Sequence, residues 1–319
     1  MRLAVAALFA CGLCAGAQAQ VYTIATNPQG SLYYSAGAAI AKLANDKLHL
    51  QVRVQPFAGS STYVPMLDRN EIEFGFVNVD DADTGYRGAD AFDGKPNPHL
   101  RMVGVIFPLP FSMMVPADSP AKRMADIKGL RLPGDFPGQT TARKLHEGLL
   151  ATAGLTYADV TKVPMPNLFA GVDAAAQGRV DAAGTAPGIA QVQQAHLALS
   201  SHGGVRFISI NDTPDGIAQM QKVMHSYPIR VEPAKHLPGV LEPTICMGYS
   251  AFLVTNDKVP DRLVYDLTKM IHASRADIVA ITPQIDRFDP RKMAEQHAVP
   301  YHPGAMKFYS EVGQWPPKS

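Results

Sequence analysis

The stretch VYTIATNPQGSLYYSAGAAIAK, which spans Val21–Lys42, decides the fold, because a strand-forming run passes through a Gly-Ser turn directly into a helical pattern. Such a turn places unpaired backbone N–H groups and the positive end of a helix dipole beside small polar side chains. A helix start of this kind can bind a small anion. Ser31 is the predicted N-cap of the helix, and Tyr33 lies just beyond it. The spacing alone favours a structural capping role for Ser31 over a binding role.

Residues 1–19 have the three parts of a secretory signal peptide. Arg2 precedes an apolar run from Leu3 to Leu13, and Ala17-Gln18-Ala19 matches the A-x-A cleavage rule. The apolar run is shorter than the roughly 20 residues that a membrane span requires. We therefore expect cleavage after Ala19, so that the mature chain begins at Gln20 and resides in the periplasm.

Composition and spacing argue against several classes of protein. The net charge is +1, with basic and acidic residues interleaved, so no nucleic-acid-binding surface is expected. After cleavage Cys246 is the last remaining cysteine, which rules out an internal disulfide. The histidines lack zinc-site spacing, and no Gly-x-Ser-x-Gly hydrolase motif occurs. We expect a monomer without cofactor, bound metal or catalytic residues.

Short β-type runs alternate with helical patterns along the chain. Strands are predicted at Leu50–Phe57, Ile72–Val79, Arg101–Phe107 and Val205–Ile210. Helices are predicted at Tyr33–Asp46, Thr62–Asn70, Thr140–Ala153, Leu168–Gln177 and Ile189–Leu199. This alternation indicates an α/β protein with largely parallel sheets.

The chain is predicted to cross between two domains at two places. Prolines flank the strand-like segment Phe111–Val115, after which a fresh βα series begins at Ala125. The proline-rich stretch Pro228–Pro243 later gives way to the strand-like Gly248–Thr255. We therefore predict two α/β lobes joined by a two-strand hinge, with a cleft between them. Lobe I comprises residues 20–118 and 248–319, and lobe II comprises residues 119–247.

Polar side chains follow several predicted strands, where open α/β sheets bind their ligands. Ser60 follows one strand and Asn78 ends the next, whereas Gln139, Thr140 and Thr141 begin a helix of the second lobe. Ser60 also has a simpler interpretation as a helix cap. We expect the helix starts of both lobes to converge on the cleft, where neutral donors can hold a carboxylate without a buried arginine.

Two further candidates have a structural alternative. The stretch from Asn78 to Asp83 carries three carboxylates but no bidentate glutamate at calcium-loop spacing, so a metal site is disfavoured. Asp80 is a candidate ligand contact, or else the N-cap of the next helical turn. Phe107 is a candidate wall of the cleft, and packing at the hinge is at least as compatible with its position.

An ordered set of motifs runs from about Thr23 to Gly313. It comprises Gln29–Tyr34 with Gly37, Gly59-Ser60, Asp80 with Tyr86 and Gly88, Ala125–Gly129, Gly154–Tyr157, Gly178–Ala182 and His302–Tyr309. In this order the motifs resemble the TAXI family of solute-binding proteins, which serve tripartite ATP-independent periplasmic (TRAP) transporters. The resemblance implies the type II periplasmic-binding-protein fold, a small organic acid as ligand (glutamate-like, a dicarboxylate or another carboxylate) and TRAP permease subunits as partners.

Two departures from the family pattern concern the ligand. The family usually has a Gly-Ser-Gly-Thr turn where this chain has Pro137–Thr141, so that Gln139 adds an amide within reach of a solute. The family often has Asn where this chain has Val64, so glutamate itself is not implied. Two alternatives remain open: a ligand-sensing partner of a signalling receptor, and an enzyme on the same fold, for which no nucleophile–base pair is found.

Overall fold

The computed structural model describes residues 20–317, and the predicted signal peptide lies outside the described residues. The strands are β1 Val21–Thr26, β2 Gln51–Pro56, β3 Phe74–Asn78, β4 Leu100–Pro116, β5 Arg131–Asp135, β6 Thr161–Met165, β7 Ala183–Thr185, β8 Val205–Ile208, β9 Tyr227–Val231 and β10 Thr244–Asn256. The α-helices are α1 Leu32–Leu48, α2 Ser60–Asp68, α3 Val79–Arg87, α4 Thr141–Ala151, α5 Leu168–Ala176, α6 Ala190–Ala198, α7 Pro214–Val223, α8 Asp261–Ala273, α9 Arg275–Ile281 and α10 Pro303–Glu311.

The opening stretch folds into β1 and α1 as its pattern predicts. Gly30 has a φ of +91°, a conformation that glycine adopts without strain, and it directs the chain into the helix. Ser31 is the N-cap of α1, and its side chain accepts a hydrogen bond from the backbone N–H of Tyr34 at 3.1 Å. A Cβ at Gly37 would lie 2.7 Å from the Thr26 methyl group, so the absence of a side chain there lets α1 pack closely on the sheet.

The sheets are mixed, so the prediction of largely parallel sheets was wrong. In the first lobe β1 pairs parallel with both β2 and β3. β10 lies between β3 and β4 and runs antiparallel to both. The physical reason is that β10 brings the chain back from the second lobe, and a strand that returns runs against the strands that lead outward.

The two-strand hinge is confirmed, and it consists of β4 and β10. These two long strands pair with each other from Leu100 and Asn256 to Phe111 and Met247. Beyond this stretch β4 pairs with β7 and β8, and the same end of β10 pairs with β9, so both strands extend into the second lobe. The sequence pattern suggested two strands separated by prolines, whereas Pro108 and Pro110 lie inside the continuous β4.

The remaining elements complete the two lobes. In the second lobe, β5 and β6 form a separate parallel pair, and α4 packs on α7. The C-terminal helices return to the first lobe, where α8 packs against α1 and α10. No helix within residues 20–317 has both the length and the apolar character to cross a lipid bilayer.

A candidate ligand site between the two lobes

A cavity of about 50 Å³ lies between the lobes beside the hinge strands. The first lobe contributes Asn27, Ser31 and Tyr33, and the hinge contributes Phe111 and Tyr249. The second lobe contributes Gln139, Leu168 and Phe169, which follow β5 and β6, and Thr185, the last residue of β7. The cavity is small in this arrangement of the lobes.

Aromatic side chains form the walls of this cavity. The ring of Tyr33 stacks on Phe76 with centroids 5.7 Å apart, and Tyr249 contacts Phe111 edge to face at 6.5 Å. Burial raises the pKa of both tyrosines, so their hydroxyl groups stay neutral and can donate a hydrogen bond. Both tyrosines line the cavity, so their hydroxyl groups are candidate donors to a ligand.

Two amide side chains add polar groups to the cavity. The Gln139 carbonyl oxygen accepts a hydrogen bond from the backbone N–H of Leu168 at 3.1 Å, which fixes the side chain and leaves its NH₂ group for the cavity. The Asn27 Oδ1 atom is buried and has no hydrogen-bond partner among the described residues. A buried polar atom without a partner is costly, so a ligand or water that bonded to Asn27 would be favoured there.

Ser60, Asn78 and Thr141 meet at the carboxylate of Asp81. Ser60 Oγ donates to Asp81 Oδ2 at 2.5 Å and Asn78 Nδ2 donates to the same oxygen at 3.0 Å. Thr141 Oγ1 donates to Asp81 Oδ1 from the second lobe. Asp81 is only 3% exposed, and burial raises its pKa, whereas the three donors act to lower it.

The helix starts differ in detail from the sequence-based expectation. Asn78, rather than Asp80, is the N-cap of α3, and its Oδ1 accepts from the Asp81 backbone N–H at 2.8 Å. Gly59, rather than Ser60, is the N-cap of α2. Thr140 precedes α4 in helical conformation, so its side chain makes no capping hydrogen bond. At α2 and α3 the backbone enters the helix at a different residue from the one that the cap pattern favours, whereas at α4 Thr140 is the N-cap but its side chain does not bond the helix.

Asp80 and Thr140 line a polar groove that Asp81 and Thr141 also border. Lys144 of α4 pairs with Asp80 at 2.9 Å and with Asp90 at 2.5 Å, so one lysine of the second lobe joins two carboxylates of the first. Burial raises the pKa of Asp80, and Lys144 opposes that shift. These ion pairs, like the Thr141–Asp81 hydrogen bond, join residues of the two lobes.

Phe107 is buried against Tyr33, with ring centroids 6.2 Å apart, but it does not line the cavity between the lobes. It borders instead a groove of about 600 Å³ behind the hinge. Of the predicted site residues, Ser31, Tyr33 and Gln139 line the interlobe cavity. Sequence reasoning missed Phe111 and Tyr249, whose position depends on the pairing of β4 with β10.

Other reactive groups lie apart from the cavity. Cys246 is buried, and desolvation raises the pKa of its thiol to about 12, so it stays protonated and unreactive. Within the described part of the chain, no group of three or more His, Cys, Asp or Glu side chains is placed to hold a metal ion.

Solved structures share this fold. A periplasmic transporter protein matches with a TM-score of 0.55 at 14% identity, over 92% of this chain and 93% of its own. PhnD1 from Prochlorococcus marinus, in complex with methylphosphonate, matches with a TM-score of 0.52 at 12% identity, over 92% and 98%. A histidine kinase sensor domain with similarity to periplasmic binding proteins matches with a TM-score of 0.50 at 10% identity, over 85% and 97%.

At such low sequence identity, the structural similarity shows a shared fold and no more. The fold is that of the periplasmic binding proteins, with two α/β lobes joined through the hinge strands. A more specific match comes from the sequence profile of the NMT1-like family, which covers residues 24–313 and so nearly all of the described chain. The chain therefore belongs to the NMT1-like family.

Proposed function

We propose that the protein is a non-catalytic periplasmic solute-binding protein, which captures a small organic acid between its lobes and delivers it to a TRAP-type permease. The observation that carries this proposal is the interlobe cavity, to which both lobes and the hinge contribute polar side chains. Such sites, concave and mostly apolar with a few converging polar groups, are typical of small-molecule binding.

The ligand carboxylate would accept hydrogen bonds from the hydroxyls of Tyr33 and Tyr249 and from the NH₂ group of Gln139. Hydrogen bonds to a charged group are stronger than those between neutral groups, so three neutral donors can replace an arginine. The apolar part of the solute would pack against Phe111 and Phe169. The methylphosphonate complex of PhnD1 supports capture of a small organic anion in this fold.

Closure of the lobes would couple binding to delivery. Tyr33 belongs to the first lobe and Gln139 to the second, so a solute contacts both only when the lobes are closed. A ligand shifts a conformational equilibrium toward the state that it binds better. The permease would then recognise the closed, loaded form. The predicted export signal and the ordered motifs shared with TAXI proteins support the periplasmic and TRAP parts of the proposal.

Mass spectrometry of gently purified protein, followed by calorimetric titration with the identified acid, tests the proposal. Tyr249→Phe removes one hydroxyl donor and should weaken carboxylate binding by roughly 10- to 150-fold, the equivalent of about 1.5–3 kcal/mol. Tyr86→Phe changes a tyrosine outside the cavity and should leave the affinity unchanged. An affinity that Tyr249→Phe does not reduce, or turnover of the bound acid, would contradict the proposal.

A second candidate function is that of a ligand-sensing partner of a signalling receptor, favoured by the similarity to a histidine kinase sensor domain. Both functions use the same cavity and the same closure. Pull-down with the loaded protein distinguishes them, because a permease subunit is expected under the first proposal and a receptor ectodomain under the second.

A further inference from the structure

The buried carboxylate of Asp81 lies where two helix starts from different lobes meet. Ser60 is the first residue of α2 and Thr141 is the first residue of α4, and both hydroxyls donate to Asp81. Neither helix start is capped by the side chain of its own N-cap residue. A negative charge is favoured beside the N-terminus of a helix. We call the place where the starts of α2 and α4 meet the junction. The Asp81 carboxylate is the anion at this junction, and it belongs to the chain itself.

The lobes approach each other closely around this carboxylate. A Cβ at Gly59 would lie 2.9 Å from Gln139 Cγ and 3.1 Å from the carbonyl oxygen of Gly138, so two backbone segments of different lobes are nearly in contact. Lys144 adds ion pairs to Asp80 and Asp90 nearby. The Asp81 carboxylate is thus hydrogen-bonded to donors from both lobes where their backbones nearly touch.

We propose that Asp81 is a built-in anion that holds the lobes together at this junction and thereby excludes the carboxylate of a solute from it. If the carboxylate of a solute bound to the same donors, its oxygen atoms would lie next to those of Asp81. Two negative charges at so short a separation repel each other. The solute is therefore confined to the neighbouring cavity. Asp81 acts as a positioning residue for the lobes, and this role does not depend on the identity of the solute.

The Asp81→Ala variant of the mature chain tests this role by small-angle scattering in the absence of solute. Removal of the carboxylate leaves the donors Ser60, Asn78 and Thr141 without an acceptor, so the radius of gyration should increase. Sodium acetate is the probe, because it can restore a carboxylate at the junction. Acetate should return the variant to the wild-type radius of gyration. The acetate concentration required should be roughly tenfold lower than any concentration that changes the radius of the wild type.

Three controls make the result specific to the junction. Asp83→Ala removes an exposed carboxylate that pairs with Arg87 on the same helix, and its radius should match the wild type. Thr141→Val removes the donor of the second lobe while it retains the side-chain shape, so it should also open the lobes if Asp81→Ala proves unstable. Adding Tyr249→Phe to Asp81→Ala should leave the acetate response intact, since that response does not involve the solute cavity.

The same measurements can overturn the proposal. A wild-type radius for both Asp81→Ala and Thr141→Val would show that the junction does not hold the lobes. An open Asp81→Ala protein that acetate fails to close would show that the donors do not form an anion site. An acetate response that disappears with Tyr249→Phe would assign the acetate to the solute cavity, which would contradict the junction role while supporting the proposed function.

Discussion

At the scale of the residue, local roles were predictable and long-range partners were not. Ser31 caps α1, as the Gly-Ser-helix pattern predicts, because a cap bonds a backbone N–H only three residues away. Ser60 also lies at a helix start, but its hydroxyl bonds Asp81, which is 21 residues away in the chain. That contact depends on how α2 packs beside α3, and no periodicity or cap signal in the sequence encodes it.

The hydroxyl of Ser60 should matter more for stability than that of Thr140. Ser60→Ala removes one of the three donors to a buried carboxylate, with an expected loss of about 1–3 kcal/mol in the free energy of unfolding. Thr140 makes no capping hydrogen bond, so Thr140→Ala is the matched control and should change stability by less than about 0.5 kcal/mol. Urea unfolding measures both, and equal losses would contradict the described network.

His146 should make the protein sensitive to acid. Its Nε2 accepts a hydrogen bond from the Gly184 backbone N–H at 3.0 Å, and burial lowers its pKa from 6.5 to about 4. The unfolded chain therefore binds more protons between pH 6.5 and pH 4, so stability contributed by the neutral ring is lost as the pH falls through this window. The full effect amounts to about 3 kcal/mol.

Comparison with His146→Gln isolates this contribution from other titrating groups. The free energy of unfolding, measured by urea denaturation at several pH values, should fall more steeply with acidification in the wild type than in the variant. Parallel pH profiles for the two proteins would mean that His146 does not titrate in this range.

At the scale of the element, periodicity predicted the helices well and the hinge strand less well. α1 extends from Leu32 to Leu48, close to the predicted Tyr33–Asp46, because apolar spacing is a local property. β4 passes unbroken through Pro108 and Pro110, where the sequence suggested an interruption. Pairing with β10 holds these prolines in extended conformation, and such pairing between distant segments leaves no local sequence signal.

The close packing of α1 on β1 predicts that Gly37 tolerates no larger side chain. Gly37→Val would place its Cβ 2.7 Å from the Thr26 methyl group, so the helix must shift, at an expected cost of about 1–3 kcal/mol. Lys42→Ala on the same helix alters an exposed residue with one ion pair and should cost less than about 0.5 kcal/mol. Thermal unfolding should show a clear loss for Gly37→Val alone, and equal melting temperatures would contradict this packing.

At the scale of the whole molecule, the sequence predicted two α/β lobes and their hinge but not the composition of the site. Proline-rich stretches and fresh βα patterns predicted two crossings between the lobes. The cavity is formed by side chains from the turn between β1 and α1, the start of α1, the hinge strands β4 and β10, and the second lobe, which come together only through the tertiary fold. Tyr33 and Gln139 were among the site residues predicted from the sequence. Asn27 and Tyr249 were found only in the structure, because their place in the cavity depends on the tertiary fold.

The most direct test of the central claim is a crystal structure of the mature protein with the organic acid that co-purifies with it. We expect the solute in the cavity between the lobes, with its carboxylate within hydrogen-bond distance of the Tyr249 hydroxyl and the Gln139 amide, and with Asp81 still bonded to Ser60 and Thr141. A carboxylate bound directly to Ser60 and Thr141 with Asp81 displaced, or a solute in the groove behind the hinge, would contradict the account.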